Sequence, residues 1–201
     1  MPDVLEIRRA EGGIRNWASE PGEYYHALDG GYGGLWRRNG RPPQMLCGVG
    51  FSAQGLFEGS YYRRMPDAAH PRAAWIFDGI KEEIIGDFGL SGGGAVGFEL
   101  DRADAALGTP ANALILARSE GHQSHFGAVL EELLSHLASV NGERPQALTR
   151  AEIVYFETVA GGAVFSTGSI TFCGSLSYNV YDNNISRMLE NVLHRFARGD
   201  Y

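Results

Sequence analysis

Residues 161–196, GGAVFSTGSITFCGSLSYNVYDNNISRMLENVLHRF, constrain the fold of this chain more than any other stretch. They read as two strands, a polar turn and a closing helix. Ile185, Met188, Leu189, Val192, Leu193 and Phe196 recur at the helical period and form one apolar face over residues 185–198. Asp182, Asn183 and Asn184 precede that face and offer caps, and Gly199 suits the position just past its end. Arg195 and Arg198 fall in the last turn, where the helix dipole favours positive charge. A helix of this kind must lay its apolar face on another layer. The strands before it supply one. Residues 153–158 and 163–166 read as a hairpin over Gly161 and Gly162, which permit the positive φ of a tight turn. Residues 165–172 extend this as one strand bent at Gly168.

Upstream, residues 4–9 alternate apolar and charged side chains and predict a half-exposed strand, with residues 14–17 as its hairpin partner. Residues 24–62 are dense in Gly and aromatics, a composition that suits an irregular β-rich layer. Residues 44–51, 73–77, 97–100 and 113–117 are further strand candidates. A first helix is expected near 126–137, where Phe126, Val129, Leu130, Leu133, Leu134 and Leu137 share one face behind Ser124 as N-cap. There is no repeat and no linker, so residues 1–201 read as a single α/β domain, β-rich in its first half.

Several function classes are disfavoured by composition. The net charge of -7 leaves no basic surface for nucleic acid. Arg37 and Arg38 beside Trp36, and Arg63 and Arg64 beside Tyr61 and Tyr62, are too short as clusters to reverse it. The two cysteines, Cys47 and Cys173, make no disulfide framework and read as small buried apolar residues, so a reducing cytoplasm is expected. The opening MPDVLEIRRAEGG carries charge throughout and lacks a signal-peptide core, and no run of about 18 apolar residues predicts a membrane span.

Four motifs could carry chemistry. Residues 92–97 spell G-x-G-x-x-G, but the next residues read as a strand, where dinucleotide binding needs a helix. A turn or a close backbone approach is the plainer reading. Glu120, His122 and His125 form the densest set of possible ligands for a divalent metal, against the alternative of a cap network or surface histidines. Glu99, Asp101 and Asp104 could split their pKa values for acid/base work, yet Arg102 among them favours an ion-paired loop. Asp182, Asn183 and Asn184 open the closing helix, where free amides orient polar ligands, so they are pocket candidates as well as caps.

Longer strings point to a family. EPGEYYHALDGGYGGLWRRNGRPPQ (residues 20–44), GVGFSAQG (48–55), SYYRR (60–64), GGGAVGFELDRAD (92–104), LGTP (107–110), ARSEGH (117–122) and the closing block together resemble the C-terminal region of N,N-dimethylformamidase large (beta) subunits. The resemblance covers essentially the whole chain. It implies part of a glutamine-amidotransferase-like layered sheet and an iron-dependent hydrolysis of N-substituted formamides to formate and an amine. The family's iron is held by two Tyr and one Glu, with His-Pro-Glu-Tyr and Gly-Gly-Asn segments around it. Neither segment occurs here, and His70-Pro71-Arg72 is the nearest string. No iron ligand therefore carries over. Tyr24, Tyr25, Tyr61 and Tyr62 are expected to be structural or to wall a pocket. The resulting expectation is a bacterial C-terminal domain, incomplete on its N-terminal side and inactive without the upstream iron-binding segment. Its partners would be that segment or a small subunit, in an oligomer. The alternative is a non-catalytic binding or assembly module.

Overall fold

One long strand organises the sheet. β1 runs Gly50–Arg64, and four other strands pair with it. Its stretch from Gly50 to Ser60 lies against β3 (Val96–Arg102), with Gly50 opposite Arg102 and Ser60 opposite Val96. Its last four residues pair with β4 (Leu114–Glu120), while Tyr62 and Arg63 also pair with β2 (Ile84–Ile85). The two-residue β5 (Gly127–Ala128) adds at Ala53 and Gln54. From β4 the sheet continues through β6 (Glu152–Glu157) to β7 (Ala163–Ser166). Every pairing is antiparallel. The sheet is open, and the register between β1 and β3 slips between Gln54 and Gly59. Such a bulge bends a strand, which lets one strand serve two sets of partners. The computed structural model describes residues 40–128 and 145–201, of which Pro43–Tyr201 forms one compact unit. The strands expected at 4–9 and 14–17 lie outside the described residues, as does the aromatic stretch 24–39.

The closing helix, α3, spans Asn184–Arg198 and follows the sequence expectation closely. Asn183 caps it by accepting from the Ser186 amide at 2.8 Å, and Gly199 turns left-handed at its end. Ile185, Met188 and Val192 are buried on the sheet's core beside Tyr62, Ile85, Leu100 and Ile153. Each such burial contributes about 2 kcal/mol over exposure. Asn191 ties the helix down, its amide donating to the carbonyls of Ile76 (3.0 Å) and Asp78 (2.9 Å). A fully buried carboxylate, Glu152, fixes the strands: it accepts from Arg118 Nε (2.7 Å), Arg150 Nε (3.1 Å) and the Ala103 amide (2.8 Å). Arg102 pairs with Asp104 at 2.8 Å, as an ion-paired loop requires.

Several local expectations are corrected. Residues 44–47 are a short helix, α1 (Gln44–Cys47), and the strand starts only at Gly50. Gly48 at φ 78 ends that turn, a conformation that Gly adopts without strain. Ala74–Phe77 is a 3-10 turn, and it buries Ile76 and Phe77 from a helical pitch. Short apolar runs do not distinguish strand from helix by pattern alone. β7 stops at Ser166, short of the bent strand expected over 165–172, and Phe172–Ser175 forms the short helix α2. The hairpin between β6 and β7 is present with a wider loop, closed by Thr158 and Gly162 at 2.7 Å. The helix expected near 126–137 fails at its start, because Phe126 precedes β5 and Ser124 caps nothing helical; residues 129–137 lie outside the described residues. Among the described residues no helix is long and apolar enough to cross a membrane.

Candidate functional site

The end of β4 leads into the cluster of possible ligands. Ser119 Oγ accepts from the Ala151 amide at 2.7 Å and shares a second hydrogen bond with His122 Nε2 at 2.6 Å. The other ring nitrogen, Nδ1, is buried and unpartnered among the described residues. Burial holds this ring neutral, pushing its pKa down to about 4. Glu120 points elsewhere. Both its carboxylate oxygens accept from Arg63 Nε at 2.9 Å, and its carbonyl accepts the Ser60 hydroxyl. His125 lies 3.9 Å from Glu58, and the rings of His122 and His125 flank Phe126 at 4.8 Å. The three side chains thus serve three different partners. A metal centre needs converging donors with their lone pairs available. Among the described residues no group of three or more His, Cys, Asp or Glu is arranged to hold an ion. Glu120, His122 and His125 do not fit the iron that the family resemblance implies. Of the three, His122 borders a cavity of about 270 Å³ walled by Glu58, Ser60, Gly92 and Phe126.

A second and larger concavity, about 650 Å³, lies over the start of α3. Asp182, Asn183 and Asn184 all border it. Two of them are committed to structure. Asn183 Nδ2 donates to the carbonyls of Leu176 (3.0 Å) and Tyr178 (2.7 Å) while its oxygen caps the helix. Asn184 accepts from the Gly86 amide at 3.1 Å and donates to Ile84 at 3.4 Å, stitching the helix start to β2. Asp182 is exposed. Arg187 and Glu190 pair at 2.7 Å across the helix surface.

The sequence gives little sign of the segment just before these residues. Asn179, Val180 and Tyr181 are all left-handed, at φ 49, 55 and 66. Asn tolerates that region; a β-branched Val there is strained. Tyr178 stacks on Phe88 at 4.5 Å and anchors the turn. Only Asn179 could have signalled it.

The remaining motifs are structural. Gly92 and Gly93 are left-handed turn residues, and the chain passes from them into β3, not a helix. Cys173, expected to be buried, is exposed, and Cys47 is half-buried; both are free. Asp101 is carried above the usual carboxylate range, to about 6, by burial and then by Glu99.

An open antiparallel sheet closed by one capped helix, with two concavities and no assembled metal cluster among the described residues, defines an α/β sheet domain. Its family is clear. The chain belongs to the family described as N,N-dimethylformamidase beta subunit-like, C-terminal, which matches residues 1–185. It is 46% identical over 201 residues to the N,N-dimethylformamidase beta subunit of Paracoccus aminophilus, covering 99% of this chain and 26% of that relative. It is 45% identical over 201 residues to the protein of the same name from Alcaligenes sp, with the same coverage. The chain therefore spans about a quarter of the length of the curated relatives it matches.

Proposed function

We propose that this chain is the C-terminal domain of an amide hydrolase of the N,N-dimethylformamidase type, and that it acts with the polypeptide that precedes the matched segment in its relatives. The observation that carries this reading is the 46% identity along 201 residues that make up only 26% of the relative. The engagement of Glu120, His122 and His125 by other partners supports placing the iron ligands elsewhere. In this reading the domain continues a glutamine-amidotransferase-like sheet, walls the substrate pocket and is inactive alone. The assembly is cytoplasmic and oligomeric, with a small subunit as a further partner.

The test is hydrolysis of N,N-dimethylformamide, followed as formate and dimethylamine release in the presence of iron. The 201-residue chain is assayed alone and with the upstream polypeptide of the Paracoccus aminophilus relative. Turnover only in the mixture is expected. Turnover by the chain alone would overturn the assignment of the iron ligands to other polypeptide.

A further inference from the structure

The turn that carries Tyr178, Val180 and Tyr181 combines backbone strain with apolar exposure. Their side chains are 46%, 89% and 65% exposed. Three non-glycine residues in succession hold left-handed φ, and Val is among the residues least suited to it. Strain of this kind persists where surrounding structure over-determines it and tends to mark functional positions. Here the Phe88 stack and the Asn183 amide hold the turn in place. Tyr181 borders the 650 Å³ concavity, and Leu193, 57% exposed, lines the same hollow. Leu176 and Leu189, both half-buried, add apolar surface within it. Contiguous apolar exposure rimmed by polar groups is a feature of interaction surfaces. The rim carries more carboxylates than cations: among the described residues Glu82 and Asp182 make no ion pair, Glu190 is matched by Arg187, and His194 completes the charged or titratable lining.

We propose that this face docks the polypeptide upstream of the matched segment in the large subunit, through an apolar side chain flanked by Lys or Arg. The occupant is argued from two observations. The relatives are about four times as long as this chain, since it covers 26% of each, so each joins a matching domain to a large further body. The rim carboxylates that are unpaired among the described residues call for a basic complement. The inference rests on the function proposed above and assigns that partner a place on the domain.

The test co-expresses the tagged 201-residue chain with the upstream polypeptide of the Paracoccus aminophilus relative and measures co-purification and dimethylformamide hydrolysis. Val180→Asp and Tyr181→Asp are compared with Val159→Asp, at a fully exposed position in the hairpin between β6 and β7. Melting curves of each isolated variant establish that it folds. Wild type and Val159→Asp are expected to co-purify, and the two turn variants to retain less than a tenth of the partner. Equal retention by all four, with activity intact, overturns the docking face and leaves the hydrolase reading standing. No retention by wild type overturns the docking face as well; activity in the mixture then decides the hydrolase reading separately. A concentration-dependent dimer of the isolated chain that Val180→Asp abolishes overturns it in favour of a second copy as occupant.

Discussion

The histidine corner after β4 and the tyrosine turn before α3 are both short connections beside a concavity, yet they handle backbone geometry in opposite ways. In the corner the left-handed position is Gly121, at φ 75, and Ser119, Glu120 and His122 Nε2 each meet a partner. In the tyrosine turn three side-chain-bearing residues take the left-handed conformation, and two of them, Val180 and Tyr181, present apolar groups outward. The corner is built as a foldable connection should be, with local preference and global structure in agreement. The turn departs from that agreement, and such departures gather at sites kept for something other than stability.

The largest effect should come from the backbone packing beneath the corner. A Cβ at Gly94 would collide with the Ser60 carbonyl and approach Gly59 C at 2.8 Å. Gly94→Ala is expected to destabilise by about 3 kcal/mol, because backbone on both sides cannot yield as a side chain would. Urea denaturation reads this directly, and a loss under about 1 kcal/mol would show the corner to be as pliable as the turn. Asn183→Ala comes next, from the other region. It removes the helix cap and the donor to Tyr178, costing about 2 kcal/mol. Amide exchange at residues 178–182 should accelerate with it. Unchanged exchange there would mean that the strain is held by the Phe88 stack alone.

Titration separates the corner from the strand that leads away from Gly94. His122 has its pKa lowered to about 4 by burial, so the unfolded chain takes up a proton first as pH falls. Its contribution is complete above about 6.5 and is lost as pH falls towards about 4. Asp101, raised to about 6 by burial and then by Glu99, works the other way: the unfolded chain releases its proton first as pH rises. Stability from Asp101 is therefore greatest near pH 4 and is lost as pH approaches about 6. Each contribution is worth about 1 to 2 kcal/mol once solvent screening is allowed for. The two nearly cancel in the wild-type chain between pH 4 and 6. Replacing His122 with Gln should leave stability falling with pH across that window, and Asp101→Asn should leave it rising. Chemical denaturation at four pH values distinguishes the slopes, and parallel slopes in the two variants would contradict the assignment.

Much of the fold is legible wherever a long pattern repeats. The face of α3, its Asn183 cap and its Gly199 stop follow from spacing and from the chemistry of helix ends. β3, β4 and the hairpin of β6 and β7 follow from short apolar runs bounded by Gly and charge. The misreadings share a cause. Gln44–Cys47, Ala74–Phe77 and Phe172–Ser175 are single turns whose pitch is set by what they pack against, and four residues carry too little periodicity to reveal it. At the candidate sites the residue types are legible and their directions are not. Glu120, His122 and His125 sit together in sequence, but antiparallel pairing hands Glu120 to Arg63 on β1, fifty-seven positions away. Asp182, Asn183 and Asn184 border a concavity because the helix start is bonded to β2, a long-range contact that no local motif encodes.

The smallest expected effect tests the contrast most closely. Val180→Gly removes a β-branched side chain from a left-handed position at a site where that side chain is almost wholly exposed. The relief of strain exceeds the added freedom of the unfolded chain, so a gain of about 1 kcal/mol is expected. Gly121→Ala does the reverse in the corner: it forces a side chain into φ 75 with Ser60 Oγ at 3.0 Å, at a loss of about 1 kcal/mol. Paired thermal melts should move in opposite directions by a few degrees. If both substitutions destabilise, Val180 contributes to the fold of the isolated domain, and its exposure no longer sets the tyrosine turn apart from the corner. If Val180→Gly stabilises the chain while weakening its hold on the upstream polypeptide, then the strain is a cost in the isolated domain that the assembled one recovers on binding.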